Sequence, residues 1–469
     1  MSKEIKKTIT INPIARVHGD ATMTLEIKGD KIIRARTTSL YVRGFEKILV
    51  GRDPLDAPYL TQRICGICSA AHGVAASLAL ENMAQAKVPN NGLLLRNIAF
   101  AVDIIMNHIT FLYVLALPDY FRPPSVSPLV PNPTKDYRLP AQYNQQLGQS
   151  YLQALTMRAI AHQLAALWSG KAPHQHGMLA GGFPLPPTAE RVLESLSLLA
   201  QLKGFIIDRM LPDLELVGEF YPEYWLLGQG YGRLISYPTF PLDNRGTTVF
   251  KGGRVVAGKV LPLCPDKITE DVTRSWYRGG EEAPATGHTD IEPDKDGAYS
   301  WIKAPRYQGL PYETGPLARM WINGYWRRGL SALDRLMARA VEAKLIVNLI
   351  EDWLNQIQLR APTFKPIKLP REGRGLGLTG AMRGALGHWV EIRGGRIAHY
   401  QIITPSAWNY SPADAKGQPG PVEKALEKTP VADPDNPVEA GRILRSFDPC
   451  YSCAVHTVTA KQEKLWRVL

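Results

Sequence analysis

Two cysteine pairs are the residues most able to do chemistry. Cys65-Gly66-Ile67-Cys68 lies near the start of the chain and Cys450-Tyr451-Ser452-Cys453 close to its end, each followed by a histidine, His72 and His456. A two-residue spacer lets both sulfurs of a pair face one ion. Together the pairs offer four soft thiolates to a single metal centre, provided the fold brings the chain ends together. A structural zinc site uses similar pairs. Such a site usually staples a small module that lacks its own core, whereas most of these 469 residues lie between the two pairs. Only Cys264 stands apart, and five cysteines are too few for a disulfide scaffold in so long a chain.

Joining the ends is the task of the intervening elements. Apolar periodicity and length predict long helices over 93–115, 151–168, 189–211 and 317–354. Thr188, after Pro186-Pro187, suits the N-cap of the third. Helices this long and apolar imply a central bundle. Three hairpins are expected: Thr24–Ile27 returning through Ile32 and Ile33 after Gly29-Asp30, Thr248–Phe250 turning at Gly252-Gly253, and Trp389–Ile392 turning at Gly394-Gly395. No strand–helix–strand alternation appears. The fold class expected is therefore α+β, a large central helical bundle with peripheral antiparallel β-hairpins that brings the N- and C-terminal cysteine pairs together. No repeat or shift in composition divides it.

The formal charge of +12 comes from scattered Lys and Arg with no aromatic–basic motif, so nucleic acid is not an expected partner. The start, MSKEIKKTIT, has no apolar core of a signal peptide. The apolar stretch Ile98–Leu117 is interrupted by Asp103, Asn107 and His108, which would be costly in lipid. It reads as a helix buried in protein, with no membrane span in this chain.

Across nearly its whole length the sequence resembles the large subunits of [NiFe]-hydrogenases. The resemblance runs through Arg43-Gly44-Phe45-Glu46, Arg63–Cys68 with His72, Gly170–His174 and Ser300–Tyr307. It continues in Tyr312–Arg319, Arg383–His388, Pro405–Asn409 and Arg445–His456. A lone Cys-x-x-Cys is weak evidence; two in this order with these flanks are specific. The resemblance implies reversible heterolytic cleavage of H2 to protons and electrons. All four thiolates would bind nickel, with Cys65 and Cys450 terminal and Cys68 and Cys453 bridging to an iron that carries CO and cyanide. Soft thiolates suit a nickel that changes oxidation state.

Further roles follow from the same resemblance. His72 corresponds to a histidine that donates a hydrogen bond to a bridging cysteine, and Arg383 to the arginine over the metals. Ser406 matches a hydroxyl near a cyanide, and Asp448 the partner of Arg383. Cys450 is the candidate base. Glu46, His456 and the Ile402 carbonyl match ligands of a structural magnesium, although histidine is an unusual ligand for so hard a cation. His174 and His176 are expected to be loop-packing residues. Two positions depart from the family pattern. Its proton-relaying glutamate is replaced by His18 in Arg16-Val17-His18-Gly19, and an aspartate before His108 is replaced by Asn107. A histidine can relay protons near neutral pH. Asparagine carries no negative charge, which weakens the expected network around Arg383.

No iron–sulfur ligand set remains beyond the four catalytic cysteines. Electrons would pass to an iron–sulfur small subunit in an obligate heterodimer, open to higher oligomers. Residues 1–456 would form a single domain, and 457–469 an extension removed by a maturation endopeptidase. The location implied is cytoplasmic, or membrane-associated or exported with a signal-bearing small subunit. Two readings of the same fold compete with an enzyme. A hydrogen sensor would end near His456 without a tail, and a structural quinone-module subunit would lack the paired cysteines.

Overall fold

The computed structural model describes residues 6–124 and 136–454. His456 and the 457–469 extension lie outside the described residues. Five long helices make the centre: α1 Ser69–Ala84, α2 Asn90–Thr110, α3 Ala141–Ser169, α4 Ala189–Phe205 and α5 Ala332–Gln356. α2 packs against α3, α5 and α1, and α4 against both α3 and α5. The stretch Asn90–Asp119 is long and apolar enough to cross a membrane, yet its most apolar window is 89% buried inside the protein. That burial fits the expectation of a core helix. Thr188 caps α4 by accepting from Arg191 N at 3.2 Å.

Two sheets flank the bundle. β1 Lys6–Ile11, β2 Ala21–Lys28 and β3 Lys31–Ser39 form an antiparallel sheet, with β2 and β3 joined at Gly29-Asp30 as expected. β4 Gly373–Ala381, β5 Gly384–Arg393 and β6 Arg396–Ile403 form the second, with the expected turn at Gly394-Gly395. Helix α1 lies directly on β4. A Cβ on Gly375 would stand 2.1 Å from Ala79 O, and one on Gly377 only 1.9 Å from Ala75 O. These two strand positions lack side chains because the helix backbone occupies that space. The smaller sheets are antiparallel except for one parallel pair, Glu313–Thr314 beside Leu234–Ser236.

Two expectations fail. The helix expected over 317–354 is two helices, Pro316–Ile322 and α5. Asn323 and Gly324 (φ +82°) end the first, and a capping box starts the second. In that box Ser331 Oγ accepts from Asp334 N at 3.2 Å, while Asp334 Oδ2 accepts from Ser331 N at 2.9 Å. The hairpin expected at Gly252-Gly253 is a change of sheet. Thr248–Phe250 pairs with Thr239–Pro241, whereas Gly253–Val256 pairs with Leu234–Ser236 and Lys259–Leu261. Gly252 is needed for close approach, since a Cβ there would meet Pro238 Cδ at 2.6 Å.

Candidate metal centre

The four paired cysteines converge, all buried and none in a disulfide. Sγ of Cys65 lies 3.6 Å from that of Cys450, Cys68 lies 3.2 Å from Cys453, and Cys450 lies 2.9 Å from Cys453. Four thiols this close cannot all ionise without a cation. Hydrogen bonds from Cys450, Cys453 and Cys68 hold the Cys65 thiol well below its ordinary range. The hydrogen bond with Cys450 pushes Cys68 up, and burial does the same to Cys453. Cys68 sits at the N-cap of α1, and Cys453 in the short helix Tyr451–Ala454.

Arg383 approaches this cluster from the start of β5. Its Nε lies 3.0 Å from Asp448 Oδ1, and its Nη2 donates to Asn107 Oδ1 at 2.8 Å. Asn107 in turn donates Nδ2 to Asp448 Oδ2 at 2.9 Å. Asn107 therefore closes a triangle with Arg383 and Asp448. The network expected to be weakened keeps its geometry, because an amide can accept from one partner and donate to the other. Burial alone would raise Asp448, but Arg383 and Arg339 outweigh it and hold the carboxyl below its usual range. Arg383 Nη1, like its Nε, is buried and has no hydrogen-bond partner among the described residues. Such a donor, beside four thiolates, fits a site built to receive an acceptor on a bound metal. Ser406 Oγ accepts from Cys450 N at 3.2 Å, which leaves its own O–H to donate.

One His72 ring nitrogen lies within 4.8 Å of the sulfurs of Cys68 and Cys453. Its Nδ1 meets His388 Nε2 at 3.1 Å. His18 is tied to the second cysteine pair through its backbone. It donates N–H to Pro449 O at 3.1 Å and accepts from Tyr451 N at 2.7 Å. Burial, with Arg383 adding, holds its imidazole down to about 4, so His18 is neutral near pH 7. Gly19 (φ +83°) permits this contact, for a Cβ would stand 2.5 Å from Ser452 Oγ. A cleft lined by His18, Arg43, Arg63, Cys65, His174 and Ser452 leads from the surface to the cluster.

Arg43 was legible only as a motif residue. Its guanidinium donates to the carbonyls of Ile64, Arg63 and Ser452, stapling one cysteine pair to the other. In the sequence Asp103 is a break in an apolar run. It is buried one turn before Asn107 on α2, and burial pushes its carboxyl up to about 8. The motif does not reveal the Arg43 staple, because its partners Arg63, Ile64 and Ser452 are brought together only by the fold.

Glu46 lies buried at a second, small cavity with Glu270, Lys303, Ile402 and Ala454. Glu46 Oε1 accepts from Ile402 N at 3.0 Å, and its Oε2 accepts from Thr289 Oγ1 at 2.5 Å. Carboxylate oxygens are suitable donors for a hard divalent cation. Ala454 brings the last described turn to this cavity. Glu270 stands in no sequence motif.

Four converging cysteines beside a buried arginine could hold one soft metal ion. Comparisons with known proteins give the family. A family model described as nickel-dependent hydrogenase matches residues 43–135, 132–329 and 323–456. The periplasmic [NiFeSe] hydrogenase large subunit of Desulfomicrobium baculatum is 35% identical, covering 97% of this chain and 96% of the relative. Hydrogenase-2 large chain of Escherichia coli is 29% identical over 97% of this chain and 98% of its own length. Among solved structures, the reduced Ni-Fe-Se hydrogenase of D. vulgaris Hildenborough superposes with a TM-score of 0.94 at 37% identity, covering 96% of this chain and 100% of that one. The chain belongs to the nickel-dependent hydrogenase family. It is a catalytic large subunit that acts on H2 at a nickel centre, working with a small subunit.

Proposed function

We propose that Cys65, Cys68, Cys450 and Cys453 hold nickel, with Cys68 and Cys453 shared with an iron carrying CO and cyanide. When bound, this pair supplies the redox-active, electrophilic chemistry that splits H2. The chain's own residues handle charge and protons. The Cys450 thiolate receives the proton at Sγ. His18, neutral and fixed against Pro449 and Tyr451 by its backbone, is the next acceptor. Arg383, held by Asp448 and Asn107, would offer Nη1 to a cyanide, and Ser406 would offer its hydroxyl to the other. The observation that carries this reading is the convergence of four Sγ atoms with a buried guanidinium close enough to interact electrostatically with Cys450, Cys68 and Cys65. X-ray absorption at the nickel edge of the purified protein tests it. Sulfur-only first neighbours with a nearby iron are expected, and nitrogen or oxygen ligands in their place contradict it.

Glu46, the Ile402 carbonyl and His456 would hold magnesium at the second cavity. The family's proteolysis after His456 would then release 457–469. The small-subunit partner would cover the cleft to Cys65. Electrons would leave to iron–sulfur clusters on that partner.

A further inference from the structure

His72 does not stand alone behind the sulfurs. Its Nδ1 lies 3.1 Å from His388 Nε2, and His388 Nδ1 lies 2.9 Å from the Tyr400 hydroxyl. All three side chains are buried, at 1%, 0% and 2% exposure. The arrangement follows from the sheet. His388 on β5 sits opposite Ile402 on β6, so Tyr400, two residues away, shares its face as a diagonal neighbour. α1, seated on the glycines of β4, brings His72 down onto the pair.

We infer that Tyr400 and His388 are positioning residues that set the tautomer of His72, so that its Nε2 carries the hydrogen and faces the sulfurs of Cys68 and Cys453. The direction follows from donor counting, given the reading of those sulfurs as metal-bound thiolates. A thiolate can only accept, and a neutral imidazole has one donor and one acceptor. If His72 Nε2–H donates to sulfur, Nδ1 must accept from His388 Nε2–H. His388 Nδ1 is then an acceptor, and the phenol O–H of Tyr400 donates to it. The three hydrogen bonds run one way, with every donor matched. The reverse order would aim the His72 Nε2 lone pair at the thiolates. The chain ends in a buried phenol, so it orients a group and leads no proton to solvent. Outer partners of this kind commonly fix the tautomer of a histidine at a metal site.

Solution NMR of the assembled protein with nitrogen-15 histidine tests this, with His72 assigned from a His72→Gln sample. His72 should show a pyridine-like Nδ1 and a pyrrole-like Nε2. Tyr400→Phe should leave nickel and iron content unchanged, yet give His72 mixed tautomers and move the infrared bands of the iron-bound CO and cyanide. A pyrrole-like Nδ1 in the unaltered protein overturns the inference, as does a Tyr400→Phe protein with unmoved nitrogen shifts and bands. Metal analysis of the same sample separates the two claims, because absent nickel and iron would count against the metal centre while the nitrogen shifts still report the tautomer.

Discussion

Arg383 carries a charge that survives burial, and its planar fork makes three contacts possible at once: Asp448, Asn107 and an open donor toward the sulfurs. Arg383→Lys keeps the charge and loses the fork. The variant should fold and melt near the parent temperature, while turnover falls about 10²-fold, the usual cost of removing an aligned donor. Near-normal turnover would make the arginine purely structural. The paired cysteines, Arg383 and Asp448 could be read from sequence because motifs carry them. Asn107 could be seen as a change of charge but not as a bridge, since its partners lie on distant segments and only the fold joins them.

A second residue-scale test concerns pH. Burial pushes Glu423 up to about 8 from an ordinary 4.5, although Thr37 N and the Tyr299 hydroxyl donate to it. The folded protein therefore keeps a proton that the unfolded chain has already released. This contribution to stability is complete below the unfolded value and is lost as pH rises through the folded one. Glu423→Gln removes the titration, so melting temperature should fall less steeply than in the parent between about pH 5 and 8. Parallel profiles would show that Glu423 stays ionised in the folded state.

Among the elements, the seat of α1 on β4 decides whether Cys68 and His72 reach the centre. Gly377→Ala places a Cβ 1.9 Å from Ala75 O, and the helix must lift. Overpacking of this kind costs about 1–3 kcal/mol, and the displaced α1 should lower nickel retention as well. Gly280→Ala is the control, having nothing within 4 Å of the added carbon. Equal melting temperature and nickel content in the two variants would refute this role. The alternating glycines of β4 could be seen in the sequence, but the helix that fills the space could not. The break after Ile322 was missed because apolar periodicity continues across Asn323 and Gly324. The β5–β6 hairpin was legible because a two-glycine turn sits between β-prone runs.

At the scale of the whole molecule, the ends of the chain are tied by backbone bonds between His18 and the Pro449–Tyr451 segment and by the Arg43 staple. That closure is expected to be completed after metal insertion, when the segment beyond His456 is cut away. It carries Lys461, Lys464 and Arg467 against Glu463, so its loss lowers the formal charge of +12 by two. The intact mass of active protein should end at His456; full activity with all 469 residues retained would refute cleavage. The partner face should bury roughly 2,000 Å² or more, and a stable, active monomer would contradict an obligate small subunit.

The most direct measurement of the metal-centre claim is an infrared spectrum of the purified protein taken together with its metal content. Nickel and iron in equal amounts, with bands of iron-bound CO and cyanide that disappear in Cys453→Ser, are the predicted result. Zinc bound to the four cysteines with no such bands would contradict it.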